Sequence, residues 1–384
     1  MTAQRTARPT GPLGDALSRL PLVPRRHALA VPLEQRVQQL TDLARQAADA
    51  EDPATAASVH NRAALLASDR GLPGLARVLC LNHASFYLAH RPLTGDLARL
   101  AFEPLVNLAH LDLRAGNGAA ALAVLDELAR AVAENDDATL PGGLVVPLAG
   151  LTASSADRGN VHEWLGGIRV FDGARALVRD GRWSDARLHL KQSTAPGDRL
   201  FEARQVAVVA MALEGRTALA RALARDTPAE QPWEHAIAAA LTVACTLLDG
   251  APAAEQTEAM LHAHTAVVLR EGSAVFDTRL ALTVADLTTA AGQLPDAARV
   301  YLTAVGRTLA DPEGYSARDL ERHRLADGLP AEQRHRLAAI AAECGVGGPA
   351  TLSTDHDDRT TAALALATAV ITKAAAKSLS PSRP

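Results

Sequence analysis

Six glycines interrupt this chain where a helix must stop and reverse: Gly71, Gly116, Gly181, Gly215, Gly250 and Gly292. Between them run stretches rich in Ala, Leu, Arg and Glu, residues of high helix propensity. Glycine tolerates the left-handed conformation that closes a helix. The third, fourth and fifth breaks are spaced by 34 and 35 residues, the period of a two-helix repeat. A second regularity is tied to the same points. Five residues after the glycine stands Ala76, Ala121, Ala186, Ala220 or Ala297, and seven before it Ala64, Ala109, Ala174 or Ala285. Small residues at both offsets let two antiparallel helices cross at the short end of the ~8–10 Å range. Gly250 departs, with Val243 and Glu255 at those offsets, and a distorted hairpin is expected there.

The segment Ala174 … Asp180-Gly181-Arg182-Trp183-Ser184-Asp185-Ala186 resembles the tetratricopeptide (TPR) repeat, with its small residue, glycine turn, aromatic and second-helix alanine. The likeness extends over residues 53–310 as degenerate repeats, and it is also a likeness to TPR-like proteins of actinobacteria. It implies an all-α solenoid of stacked antiparallel helical hairpins, whose first helices line a concave binding surface.

Composition divides the chain further. Residues 1–30 hold four prolines and scattered arginines and read as a flexible N-terminal arm. Residues 31–134 form an N-terminal helical lobe, beginning with a helix over Leu33 to Ala50. Residues 135–160 are an insertion: Asn135-Asp136-Asp137 and Pro141-Gly142-Gly143 are turn chemistry, and Leu144-Val145-Val146 suits a short β segment. The insertion is a natural divide between lobes. Residues 161–310 carry the C-terminal TPR-like repeats, and 311–384 the capping helices and tail, the last helix (360–377) closing the end of the array.

Several functions are disfavoured. The formal charge is −4, without the basic footprint of a nucleic-acid binder. Cys80, Cys245 and Cys344 are far apart and form no C-x-x-C pair. His162-Glu163-Trp164-Leu165-Gly166 begins like a metalloprotease motif, but Gly166 occupies the place of the second histidine. No P-loop or nucleophile elbow is present. The longest apolar run, Ala362 to Ile371, is far below the ~20 residues that span a bilayer, and no secretory leader is recognisable. The expectation is a cytoplasmic, non-membrane protein without cofactor, metal or catalytic motif, whose partner is a protein or peptide rather than nucleic acid.

Polar residues set among apolar helical neighbours are the candidate partner-binding residues. Glu103, Asn107, His110 and Arg114 recur at helical spacing on one face. Asn61, Asn82 and His83 lie in the preceding helices, and Arg169 and Asp172, with Arg175 or Arg179, in the helix before Gly181. An amide donates and accepts, so Asn61, Asn82 and Asn107 would form a ladder for an extended peptide backbone. Arginine pairs with carboxylates in a bidentate way. A scaffold or adaptor is the leading reading. A ligand-sensing regulator working with a separate DNA-binding or enzymatic partner is the second, and an enzyme using Glu103, Asn107, His110 and His83 the third.

Overall fold

The computed structural model describes residues 9–25, 29–193, 198–267, 272–348 and 354–378. Among them the chain is all-α apart from one two-stranded ribbon. Helices α1 (Gly11–Arg19), α2 (Leu33–Ala50), α3 (Pro53–Asp69), α4 (Pro73–Leu88), α5 (Gly95–Arg114) and α6 (Gly118–Glu134) precede strands β1 (Ala138–Leu140) and β2 (Leu144–Val146). There follow α7 (Ser155–Arg179), α8 (Trp183–Ser193), α9 (Glu202–Leu213), α10 (Thr217–Asp226), α11 (Pro232–Leu248) and α12 (Ala254–Thr265). The last are α13 (Ala274–Ala290), α14 (Leu294–Ala310), α15 (Gly314–Glu321), a 3₁₀ turn at Arg324–Gly328, α16 (Ala331–Glu343) and α17 (Thr354–Ser378).

All six expected break glycines have φ between +72° and +84°, the left-handed region where a side chain would be strained. At five of them the next helix starts two residues later. At Gly250 the second helix starts only at Ala254, so the turn is two residues longer. Glu255 is therefore exposed, and Thr257, two residues further on, is fully buried. The expected distortion is thus an insertion in the turn. The alanines at the two offsets are all buried, with Ala76, Ala109, Ala121, Ala186, Ala220, Ala285 and Ala297 each at 0% exposure. Replacing Ala121 or Ala297 by leucine is therefore expected to overpack its hairpin and cost ~1–3 kcal/mol. Arg182→Ala, on an exposed turn, should stay within about 0.5 kcal/mol of the parent. Melting curves check this: two leucine variants that melt with the parent would show the repeat register to be wrong.

The chain forms two compact units, each built from two separate stretches. The first takes Pro32–Asp180 and Gly345–Pro384. In it α2 to α7 pack in succession, α3 also touches α5, α5 touches α7, and α17 packs on α2, α3 and α4. Its core is filled by Phe102, Leu105, Leu108, Leu125 and Leu128. The second unit takes Met1–Val31 and Gly181–Cys344. There α8 to α16 pack in succession, α9 touches α11, α11 touches α13 and α13 touches α15, while α1 packs on α13 and reaches α11. Among the described residues α4 and α6, or α10 and α12, make no comparable contact. The first helices of successive hairpins thus share a face within each unit.

Four expectations about organisation are corrected. Residues 9–25 of the supposed flexible arm contain α1, and Leu17, Leu20 and Leu22 are buried, because apolar residues among the prolines find a surface on α13; residues 1–8 and 26–28 lie outside the described residues. The insertion ends at residue 154, not 160, since Ser154 caps α7 by accepting from the Asp157 amide. Within it β1 and β2 pair antiparallel, Ala138 opposite Val146. The insertion does not divide the units: α7 packs on α5 and α6, and the division falls at Gly181. The last helix starts at Thr354, six residues earlier than expected, and belongs to the first unit, where Ala363, Ala367 and Ile371 are buried.

Candidate functional site

The shared face of α3, α5 and α7 in the first unit carries a continuous run of polar side chains. On α5, Glu103, Asn107 and His110 are four and three residues apart, the spacing that aligns side chains on one side of a helix. Asn61 of α3 donates through Nδ2 to Glu103 Oε2 at 3.1 Å. Asn107 Nδ2 donates to Asn61 Oδ1 at 3.0 Å. Asn107 Oδ1 lies 3.3 Å from His110 Nδ1, and His110 Nε2 lies 2.9 Å from Asp172 Oδ2 on α7. Arg175 then donates to Asp172 Oδ1 at 2.6 Å. Six side chains from three helices are joined end to end.

Burial of this run is partial. Asn61, Glu103, Asn107, His110 and Arg175 are half-buried and Asp172 is buried. Burial pushes the Glu103 carboxyl above the usual carboxylate range, opposed by the Asn61 hydrogen bond and the Arg99 charge. Both His110 ring nitrogens face acceptor oxygens. A ring carrying two protons donates to each of them, and a ring carrying one satisfies a single side. Each asparagine amide spends one N–H and one lone pair on its neighbours in the run. A second N–H and a second lone pair remain on each, the complement of a peptide group.

Of the nine residues expected from sequence, Asn61, Glu103, Asn107, His110 and Asp172 come together in this way. Arg114, one turn beyond His110, pairs at 2.7 Å with the buried Asp69, which also holds Arg36 at 2.6 Å. It locks α5 to α3. Arg169 is turned towards α6, where it meets Asp126 at 2.5 Å. The three-membered asparagine ladder is corrected to two. Asn82 lies on α4, the second helix of its hairpin, and is solvent-exposed. His83, also on α4, is 1% exposed, its ring stacked on His60 with centroids 4.7 Å apart. It is a core residue and makes no hydrogen bond to Glu103, Asn107 or His110, so the four-residue acid–base cluster does not assemble.

Two polar residues of the second unit escaped motif reading. Gln205 and Asp286 are each 0% exposed, and each holds a part of the N-terminal segment. Their only sequence signal is a polar residue inside an apolar run, as Gln205 is before Val206, Val208 and Val209. Compared with protein families, curated proteins and solved structures, the chain has no significant match in any of the three.

Proposed function

We propose that this protein is a TPR-like interaction module, a scaffold or adaptor that holds a protein or peptide segment on the α3–α5–α7 face of its first unit. The observation that carries the reading is the unbroken hydrogen-bonded run from Glu103 to Arg175 across three stacked helices. A face that only solvates a helix has no need of side chains ordered across its neighbours, since ordering them costs rotamer entropy. Pre-ordered amides lower the entropy cost of gripping an extended backbone. The half-buried Glu103 carboxyl at one end of the run favours a segment with a basic group.

The test begins with a partner recovered by pull-down and then purified. Asn107→Ala and His110→Ala are compared with Arg299→Ala, an exposed position on α14 of the second unit. Losing one buried hydrogen-bonding group should weaken binding by ~1–3 kcal/mol at little-changed melting temperature, with the Arg299 variant unaffected. Equal binding by all three variants would remove this face from the interaction.

A further inference from the structure

The second unit presents the equivalent first-helix face on α9, α11, α13 and α15, and that face holds a length of the protein's own backbone. Arg19, at the end of α1, donates to Asp286 Oδ2 of α13 at 2.6 Å, and Asp15 pairs with Arg324. After Arg19 the chain leaves the helix and bends at Pro21. Leu20 and Leu22, on either side of that bend, are both buried, at 3% and 5% exposure. No strand or helix satisfies the backbone of Leu22. Gln205 does so alone: its Oε1 accepts from the Leu22 amide at 2.8 Å and its Nε2 donates to the Leu22 carbonyl at 2.7 Å. Arg25 pairs with Glu202 at 2.8 Å, one helical turn before Gln205. Further along, the Ala30 amide donates to Glu313 Oε1 and the Ala30 carbonyl accepts from the Gly314 amide, at 2.8 and 2.9 Å.

These are the contacts of a bound peptide. A side-chain amide pairs with both backbone polar groups of one residue, Leu22, two leucines are buried beside it, and carboxylates on the helices receive two arginines. We infer that the α9–α15 face is a peptide-binding surface for a basic, leucine-bearing segment with the pattern Arg-Leu-x-Leu, and that residues 15–25 occupy it as an internal ligand which such a segment displaces. A segment contributing its own core would present a broad apolar stripe. Here residues 20–25 bury two leucines beyond Ala16 and Leu17 of α1, and are otherwise anchored by polar groups that any peptide of the same chemistry supplies. The inference concerns the second unit and stands apart from the role proposed for the α3–α5–α7 face.

The test uses the full chain carrying Leu20→Asp and Leu22→Asp, which frees the internal segment, and a fluorescent synthetic peptide of residues 9–25 with the natural sequence. In an anisotropy titration the released variant should bind this peptide about tenfold or more tighter than the natural chain, whose surface is already filled. Adding Gln205→Ala to the released variant should abolish the gain, and adding Asn107→Ala should not. A released variant with an unchanged helical spectrum and no gain in peptide binding would overturn the inference. Hydrogen exchange on the natural chain decides the matter if that variant does not fold. A displaceable segment opens locally, so the Leu22 amide should exchange roughly 100-fold faster than interior amides of α13 such as that of Leu282. Equal protection at the two positions would mean that the segment leaves only on global unfolding, and would overturn it.

Discussion

Replacing Asp286 by alanine is expected to destabilise the protein by about 3–5 kcal/mol, the usual cost of removing one partner from a buried charge cluster. The carboxylate is completely buried within α13. Its Oδ2 accepts from Arg19, while Oδ1 faces His323 Nε2 at 3.2 Å and Arg324 Nε at 3.3 Å. His323 Nδ1 accepts from the Leu325 amide at 3.3 Å, which leaves the ring proton on Nε2. Without the carboxylate, two guanidinium groups lose their common counter-charge and α1 loses its polar tie to α13. Burial pushes the Asp286 carboxyl upward, but the adjacent His323 ring and the Arg19 guanidinium outweigh it and hold the group below its usual 3.8. Its folded value thus lies below its unfolded one. Its stabilisation is complete above the unfolded value and fades as pH falls through the folded one. The gap between parent and Asp286→Ala in urea unfolding should therefore be full at neutral pH and shrink in acid. A neutral-pH difference under about 1 kcal/mol would show the cluster to be ornamental.

Acidification should also weaken the first unit through its buried imidazoles. His60 and His83 are 4% and 1% exposed and lie stacked. Burial lowers His60 from 6.5 to about 4. Burial, reinforced by the neighbouring His60 charge, lowers His83 well below its ordinary value. The unfolded chain therefore takes up protons near pH 6.5, while the folded one resists until its lower values are reached. Stability is undiminished above pH 6.5 and falls between there and about 4, by on the order of 3 kcal/mol for His60 alone. Denaturant midpoints measured across that window should decline, and His60→Phe with His83→Phe should flatten the slope whatever its effect at neutral pH. A parent whose midpoint does not move across the window would exclude charged-state exclusion at this pair. His60 Nε2 lies 3.2 Å from Thr368 Oγ1 of α17, so that helix should be the first to loosen.

The turns were legible in the sequence because their demands are local. A left-handed residue at Gly116 and small residues at Ala109 and Ala121 are needs of one hairpin, written within a dozen positions. Asn61 and Asn107 were legible as polar residues among apolar neighbours on the first helices of adjacent hairpins, ten and nine residues before Gly71 and Gly116; the hydrogen bond between them was not. Asn82 misled because periodicity gives the face of a helix but not which helix of the hairpin looks towards the shared surface. The destinations of the two chain ends were not legible at all. Leu22 meets Gln205 across 183 residues, Arg19 meets Asp286 across 267, and Thr368 meets His60 across 308. Proline and arginine suggested solvent for residues 9–25 because their buried counter-charges lie in another part of the sequence.

The exchange of ends between the two units sets an order on their completion during translation. Residues 32–180 leave the ribosome early, yet the helix that covers α2, α3 and α4 is encoded after the whole of 181–344. The apolar surface awaiting Ala363, Ala367 and Ile371 therefore stays bare while the other unit is being made. Residues 9–25 wait in the opposite sense, made first and seated only when α9 and α13 exist. Neither unit is a contiguous gene fragment, and a 32–180 fragment expressed alone would carry an uncovered apolar face, the kind of surface that makes nascent chains aggregate.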